Sequence, residues 1–311
     1  MALHTNGIRP IFTRWIDRLP STDPSRGIKE VVQGDCHGGD ILCLLSTFDT
    51  CGVVYPHVFS YINELNRCGC DVHAVVTSPN LSQGNRDQLV KNCAQVIFRK
   101  NRGLDFGSWR AVLDPVKVNK KFRGVLLTND SILGPLRNLD REFELIRKAG
   151  HSVVGMTESD EFSRHLQSYF LYFPLEVFLI PRILNFWSGI RAICDKGRII
   201  REYEIGISSI LRSNGVELNA IYPLELLTER AKQMGTDFEF HERLAAGMPM
   251  NPVLHFWEIL LTDDFPFVKK GNFTMKNITL RGKSEFVKRM AMSTSAVHQQ
   301  IYCFLKAQSA E

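Results

Sequence analysis

An apolar run that stops on three polar side chains, GVLLTNDSILGP from Gly124 to Pro135, is the stretch of this chain best suited to hold a ligand. Val125, Leu126 and Leu127 follow a glycine as a short apolar run, as parallel strands buried on both faces do. Gly134-Pro135 then breaks the chain. At the carboxyl end of a strand in an open α/β sheet, the Asp130 carboxylate faces a crevice. There it can hold a hard cation or a metal-bound diphosphate, with Asn129 and Ser131 beside it. The same three residues also suit a plain turn whose side chains bond their own backbone, and residue types alone do not separate the two.

Three further stretches carry chemistry. In RKNRGLDFGSW, Arg99 to Trp109, a strand gives way to a helix through Asn101, Arg102, Gly103 and Asp105. Glycines let backbone approach a ligand and a helix N-terminus favours phosphate, although Asp105 as an ordinary helix cap explains the pattern equally well. In REYEIGISSILRSNG, Glu202 and Glu204 are expected to open a helix, where acids usually answer the macrodipole. In NPVLHFWEILLTDDFPFVKK, His255 sits among apolar residues and Lys269-Lys270 follow a Phe-Pro-Phe turn. A lone histidine on an apolar face is usually a satisfied core residue, so His255 as a metal ligand is the less favoured reading.

The elements that must position these residues alternate. ILCLLSTF from Ile41 predicts a buried strand, PHVFSYINELNRCG a helix with Val58, Tyr61, Ile62 and Leu65 on one face, and VHAVVT a second strand. A helix near Arg86 to Cys93, the strand AQVIF, a helix from Phe106 to Leu113 and the strand ending at Asn129 continue the series. A helix from Arg141 to Ala149 and the strand SVVGMT close it. Strands separated by helices predict an α/β, Rossmann-type, mostly parallel sheet with right-handed crossovers. After Thr157 the alternation is lost, which predicts a mixed portion. The expected organisation is an irregular leader over 1–39, a ligand-binding half over 40–157, a second half of the same domain over 158–275 and a helical tail over 276–311.

Composition bounds the function. With 311 residues, 44% of them hydrophobic, the chain can bury a large core. A net charge of +5, scattered among nearly as many acids, suits small anionic ligands or a membrane surface and gives nucleic acid little support. Eight cysteines without a CxxC pair fit reduced thiols in the cytoplasm. MALHTNGIRPIFTRW lacks the apolar segment of a secretory signal, and no GxxxxGK[ST] loop occurs.

Taken together and in order, RKNRGLDFGSW, LLTNDSILGPL, HLQSYFLYF, EIGISSILRSNG and NPVLHFWEILLTDDFPFVKK closely resemble the rhamnan-synthesis F family of bacterial polysaccharide glycosyltransferases. The resemblance spans roughly Ile41 to Asn272. It implies a GT-A-like, inverting transferase moving L-rhamnose from dTDP-L-rhamnose to a growing cell-surface polysaccharide or lipopolysaccharide O-antigen, with a lipid-linked glycan as one form of acceptor. In that reading Asn129-Asp130-Ser131 occupies the place of the metal-binding DxD element, and Asn101 to Asp105 matches the donor-side loop. Only one of the three residues is a carboxylate, so Mg2+ or Mn2+ on Asp130 is in question, and Arg102, Lys269 or Lys270 are alternative partners of the diphosphate. An inverting transfer needs one general base; the candidates are Glu204, then Glu202 and Asp160. His165, Gln167, Tyr169 and Trp257 fall on the acceptor side.

Two other functions fit the sequence: a transferase using another nucleotide sugar, and a non-catalytic glycan-binding module of a polysaccharide assembly complex. The resemblance also implies work at the inner face of the cell membrane. The tail from Lys276 to Lys306, with Phe286, Val287, Met290 and Phe304 among basic residues, could rest on an anionic leaflet, but packing on the protein itself is the favoured reading.

Overall fold

The structure is a computed structural model that describes residues 23–116, 118, 120–234, 240–274 and 280–308. The strands are β1 (Ile28–Gln33), β2 (Ile41–Thr47), β3 (Cys70–Val76), β4 (Gln95–Arg99), β5 (Gly124–Asn129), β6 (Ile132–Leu133), β7 (Val153–Ser159), β8 (His165–Leu166), β9 (Phe170–Pro174), β10 (Leu218–Tyr222) and β11 (Val268–Lys269). One sheet runs β1-β4-β3-β2-β5-β9-β7-β10, with β8 attached to β7, and β11 pairs with β6 apart from it.

Strands β4, β3, β2 and β5 are mutually parallel. Helices Pro56–Arg67, Gln83–Asn92 and Leu104–Val116 connect them in turn. The α/β class expected from the alternation is the one observed. All seven residues of β2 are buried, and they serve two cores: Ile41, Cys43 and Leu45 point to one, Leu42 and Leu44 to the other. Helix Pro56–Arg67 covers the first face with Val58, Tyr61, Ile62 and Leu65. Helix Leu104–Val116 covers the second with Phe106, Trp109 and Val112. Each fully buried leucine here contributes roughly 1.5–3 kcal/mol. The chain steps outward from β2 to β3 and β4, then returns to the far side of β2 for β5, so the crevice between the ends of β2 and β5 is a topological switch point.

The second half is mixed because β9, the aromatic run FLYFP, enters antiparallel between β5 and β7. Beyond it β7 and β10 are again parallel, so β7 belongs with the later strands in space although it continues the earlier series in sequence.

Two expectations change. The presumed leader contains β1, antiparallel to β4 at the sheet edge; none of its six residues is buried, and charges such as Lys29 and Glu30 suit an edge. Residues 1–22 lie outside the described residues. The helix expected to open at Glu202 begins at Lys196, where Asp195 accepts from the Arg198 N–H, and its middle widens into a π turn over Ile200–Glu204 before continuing as Ile205–Ser213. The tail forms helices Leu280–Met292 and Ala296–Gln308, and Phe286, Met290 and Phe304 are buried against Leu133, Trp257 and Val268. Their apolar face is occupied by the protein, so these side chains are not available to a leaflet. Among the described residues no helix is long and apolar enough to cross a membrane, and all eight cysteines carry free thiols.

Candidate active site

The ends of β2 and β5 are stitched together by the polar residues that close them. Ser46 lies opposite Asn129 in the parallel register. The Asp130 N–H donates to the Ser46 carbonyl at 3.1 Å, and the Thr47 hydroxyl donates to Asp130 Oδ2 at 2.9 Å. Asn129 is buried. Its Nδ2 donates to Asp105 Oδ2 at 2.9 Å, while its Oδ1 accepts from the backbone N–H and hydroxyl of Ser131 at 3.1 and 2.6 Å. The Asn-Asp-Ser turn therefore does bond its own backbone, and it also reaches Asp105 in the first turn of helix Leu104–Val116. Asp105 and Asp130 stand on the same edge of the sheet.

A second layer of charge arrives from far along the chain. β11 pairs antiparallel with β6, placing Lys269 opposite Ile132, and the Lys270 N–H donates to the Ser131 carbonyl at 3.0 Å. Lys269 Nζ donates to Ser131 Oγ at 2.7 Å and lies 5.4 Å from the centre of the Tyr169 ring. Lys270 Nζ is 3.5 Å from Asp130 Oδ2 and 5.4 Å from the Phe304 ring centre. Burial lowers the Lys269 ammonium to about 8, with nearby Lys196 acting the same way, while Glu204, Asp105 and Asp130 oppose the shift. Burial likewise raises Asp105 to about 6; Asp130 and Glu204 add to this, and the Ser46 hydroxyl and Lys269 counter it. Three carboxylates and one lysine thus feel one another's charge, and Glu204 is among them.

Glu204 is half-buried in the π turn. Its Oε1 accepts from the Ser168 N–H at 2.5 Å, and among the described residues Oε2 has no hydrogen-bond partner. Glu202, two residues away, faces solvent and pairs with Arg198 one turn back. Asp160 takes the Met250 N–H on Oδ1 in a different corner, with Glu161 bonded to Asn251 beside it. His255 belongs to that corner: its Nδ1 accepts from the Asn251 N–H at 2.9 Å. Burial first, then Arg243, lowers its pKa, against Glu161 and Asp160. It does not share a site with Asp130.

The loop after β4 is set by Arg99, a buried guanidinium that donates to Ser108 Oγ at 2.9 Å, to the Arg102 carbonyl at 2.9 Å and to the Pro24 carbonyl at 3.3 Å. Gly103 has φ of +82°, and a Cβ on Gly107 would lie 2.2 Å from the Arg102 carbonyl oxygen. Both glycines let the loop fold upon itself, so close approach of backbone to backbone is their reason here. Asn101 and Arg102 are exposed on that loop. On the acceptor side, His165, Gln167, Tyr169 and Trp257 are all buried. Gln167 bonds Thr157 and Asn251, Tyr169 bonds Thr157, and His165 Nδ1 lies 2.6 Å from the Ser163 carbonyl. The Thr157 hydroxyl on β7 thus ties to Gln167 and Tyr169, and Gln167 reaches on to Asn251.

As a metal site the cluster fits poorly. Asp130 Oδ2 already serves Thr47, Asn129 turns its amide hydrogens toward Asp105, and the Lys270 ammonium stands 3.5 Å from Asp130 Oδ2. Among the described residues no group of three or more His, Cys, Asp and Glu side chains could hold a metal ion. Sequence reading missed Ser46, Thr47, Arg99 and Lys196. The signal for the first two was present, since two hydroxyl residues close an apolar run just as Asn129 closes β5.

The sheet and the charged cluster at its switch point define an α/β protein with a crevice suited to an anionic ligand. The chain belongs to the Rhamnan synthesis protein F family, whose model matches residues 74–292, and so to proteins of polysaccharide synthesis. It is 27% identical over 214 residues to the virulence protein VirA of Vibrio anguillarum, covering 64% of this chain and 69% of that one. It is 27% identical over 165 residues to the uncharacterized protein y4gN of Sinorhizobium fredii, covering 51% and 43%. Among solved structures it is similar to a chain described as a nucleotide-diphospho-sugar transferase of Desulfovibrio desulfuricans G20, at 11% identity and TM-score 0.38 over 67% of this chain and 96% of that one. It is also similar to mouse xyloside xylosyltransferase 1, at 10% identity and TM-score 0.32 over 58% and 85%.

Proposed function

We propose that this protein is an inverting rhamnosyltransferase of the cytoplasm, moving L-rhamnose from dTDP-L-rhamnose to a growing cell-surface polysaccharide such as an O-antigen. The observation that carries the reading is the cluster at the switch point: Asp105, Asn129 and Asp130 on one wall, Lys269 and Lys270 strapped against them, and Glu204 within reach of their charge. The rhamnose donor is supported by the family's association with rhamnan synthesis.

The chemistry follows from the charges that must develop. An acceptor hydroxyl oxygen attacks the anomeric carbon, its proton passes to Glu204 Oε2, and the bond from that carbon to the diphosphate breaks with its electron pair leaving on the phosphate oxygen. Glu204 is held in one orientation by Ser168, which leaves the other oxygen to act. Asp105, Asn129 and Asp130 fix the floor on which the donor lies.

Incubation with dTDP-rhamnose, UDP-glucose and GDP-mannose in separate reactions, with rhamnose-terminated oligosaccharides as acceptors, tests the reading by product mass and linkage. Transfer from dTDP-rhamnose with an inverted anomeric centre is expected. Transfer only from another nucleotide sugar would overturn the donor, and turnover with none would favour a glycan-binding module. Asp130→Asn should lower turnover roughly 10- to 100-fold by loosening the placement of Lys270, whose ammonium lies 3.5 Å from Asp130 Oδ2. Its melting temperature should stay close to that of the wild type, because a strand-tip carboxylate contributes little to the core.

A further inference from the structure

We propose that Lys269 and Lys270 are the cations that receive the leaving diphosphate, standing where a divalent ion would otherwise be held. This rests on the transferase reading above and assigns the charge that the reading leaves open.

Three observations converge. The lysines are fixed by backbone, since β11 pairs with β6 and the Lys270 N–H bonds the Ser131 carbonyl. Two adjacent lysine backbones are therefore registered against the segment carrying Asn129, Asp130 and Ser131, and the side-chain contacts to Ser131 Oγ and Asp130 Oδ2 bring both ammonium groups to it. Each is then placed from below by an aromatic ring, Lys269 by Tyr169 and Lys270 by Phe304; a ring face holds a cation without neutralising it. Finally, most of the oxygens that would ligate a metal are already engaged among the described residues, Asp130 Oδ1 being the one left open. Asp130 Oδ2 accepts from Thr47 and faces Lys270, Asn129 Oδ1 accepts twice from Ser131, and Ser131 Oγ accepts from Lys269.

The pairing of Lys270 with Asp130, at 3.5 Å, is long enough for a phosphate oxygen to compete for the ammonium. Lys269 is the deeper of the two, and an ammonium removed from water acts more strongly on a developing negative charge than one in solvent. A divalent ion placed in the same position would meet two like charges at close range.

The test is calorimetric titration of the protein with dTDP and with UDP, each in EDTA and in Mg2+, together with the free Mn2+ resonance signal in the presence of protein. At least one nucleoside diphosphate is expected to bind in EDTA within about threefold of its affinity in Mg2+, leaving the Mn2+ signal undiminished. Lys269→Met and Lys270→Met should each weaken binding by about tenfold or more, and Lys270→Arg should recover most of the loss. Lys270 is the less buried, so its variants report even where Lys269→Met fails to fold. Binding that appears only with Mg2+ would overturn this assignment and leave the transferase reading intact. Undiminished binding by both methionine variants, melting as the wild type does, would also overturn it. Binding in neither condition would remove the transferase reading and this one with it.

Discussion

The tip of the parallel half and the π turn opposite it solve the same problem, holding a carboxylate still, in different ways. Asp130 ends a buried strand, and its neighbours in the register, Ser46 and Thr47, fasten it from the next strand. Glu204 hangs from the middle of a helix on the far side of β9, and a single backbone N–H, that of Ser168, orients it. The first carboxylate is fixed by the sheet itself, so changing it alters charge and little else. The second is fixed by a helix whose winding departs from the usual, so its position depends on packing some distance away. Under the proposed transfer, a wall fixed by the sheet would grip one substrate and a singly held carboxylate would relieve the other of a proton.

The comparison can be broken first at Glu204. Glu204→Gln keeps the bond from Ser168 and removes proton-accepting capacity, so the transfer rate at saturating acceptor should fall roughly 10²–10⁴-fold while donor binding by calorimetry stays within about twofold. A normal rate would move the role elsewhere, and Asp160→Asn in the same assay would show whether that corner holds it.

Next comes the stability of the donor wall. The folded pKa of Asp105 is raised from the ordinary 3.8 to about 6, so the native state holds that proton more tightly than the unfolded one. Its favourable contribution is complete below about pH 4 and is lost as pH rises through 6. Urea denaturation should therefore show Asp105→Asn gaining on the wild type between pH 4 and pH 7 by on the order of 2 kcal/mol. A constant difference across that window would mean the carboxylate is not disfavoured there.

Lys269 gives a smaller, graded effect. Its folded pKa is depressed from 10.5 to about 8, which lowers native stability while the group is charged, a cost relieved as pH rises from 8 to 10.5. Nucleoside diphosphate affinity should run the other way, falling above pH 8 with a slope approaching tenfold per pH unit. Lys269→Arg should flatten that limb, and a limb unchanged by the substitution would assign it to another group. The smallest effect is expected at Glu202. Its pairing with Arg198 lies in solvent with 44% of the carboxylate side chain exposed, so Glu202→Gln should change stability by less than about 0.5 kcal/mol and leave transfer unaltered.

Legibility followed burial and regular winding. The strands β2 to β5 and their helices could be read because strands covered on both faces are unbroken apolar runs, and the place of Asp130 follows from where such a run ends. The edge strand β1 was not readable, since IKEVVQ exposes most of its side chains and resembles a charged loop. The meeting of Lys269 with Ser131 rests on a two-residue pairing between segments 138 residues apart, which no local pattern announces. The four acceptor-side candidates were aromatic or polar residues in distinctive motifs, yet the contacts that made them distinctive are internal ones. Glu204 was placed at a helix start because two acids looked like an N-terminal turn, whereas the helix had begun at Lys196.

That last misreading has a numerical root in the wide turn. Ile199, Tyr203, Ile207 and Leu211 are all buried in one core and are spaced by four. Four residues of a regular α-helix overshoot a full revolution by about 40°, so three such steps would carry the last side chain well away from the face of the first. The π turn takes up the excess. The four apolar residues stay aligned, and Glu204, next to Tyr203, is held beside that line. The direction of the carboxylate is thus written in a count of residues as much as in their kinds, and a scan that exchanges one side chain at a time preserves the count and leaves that part of the specification untouched.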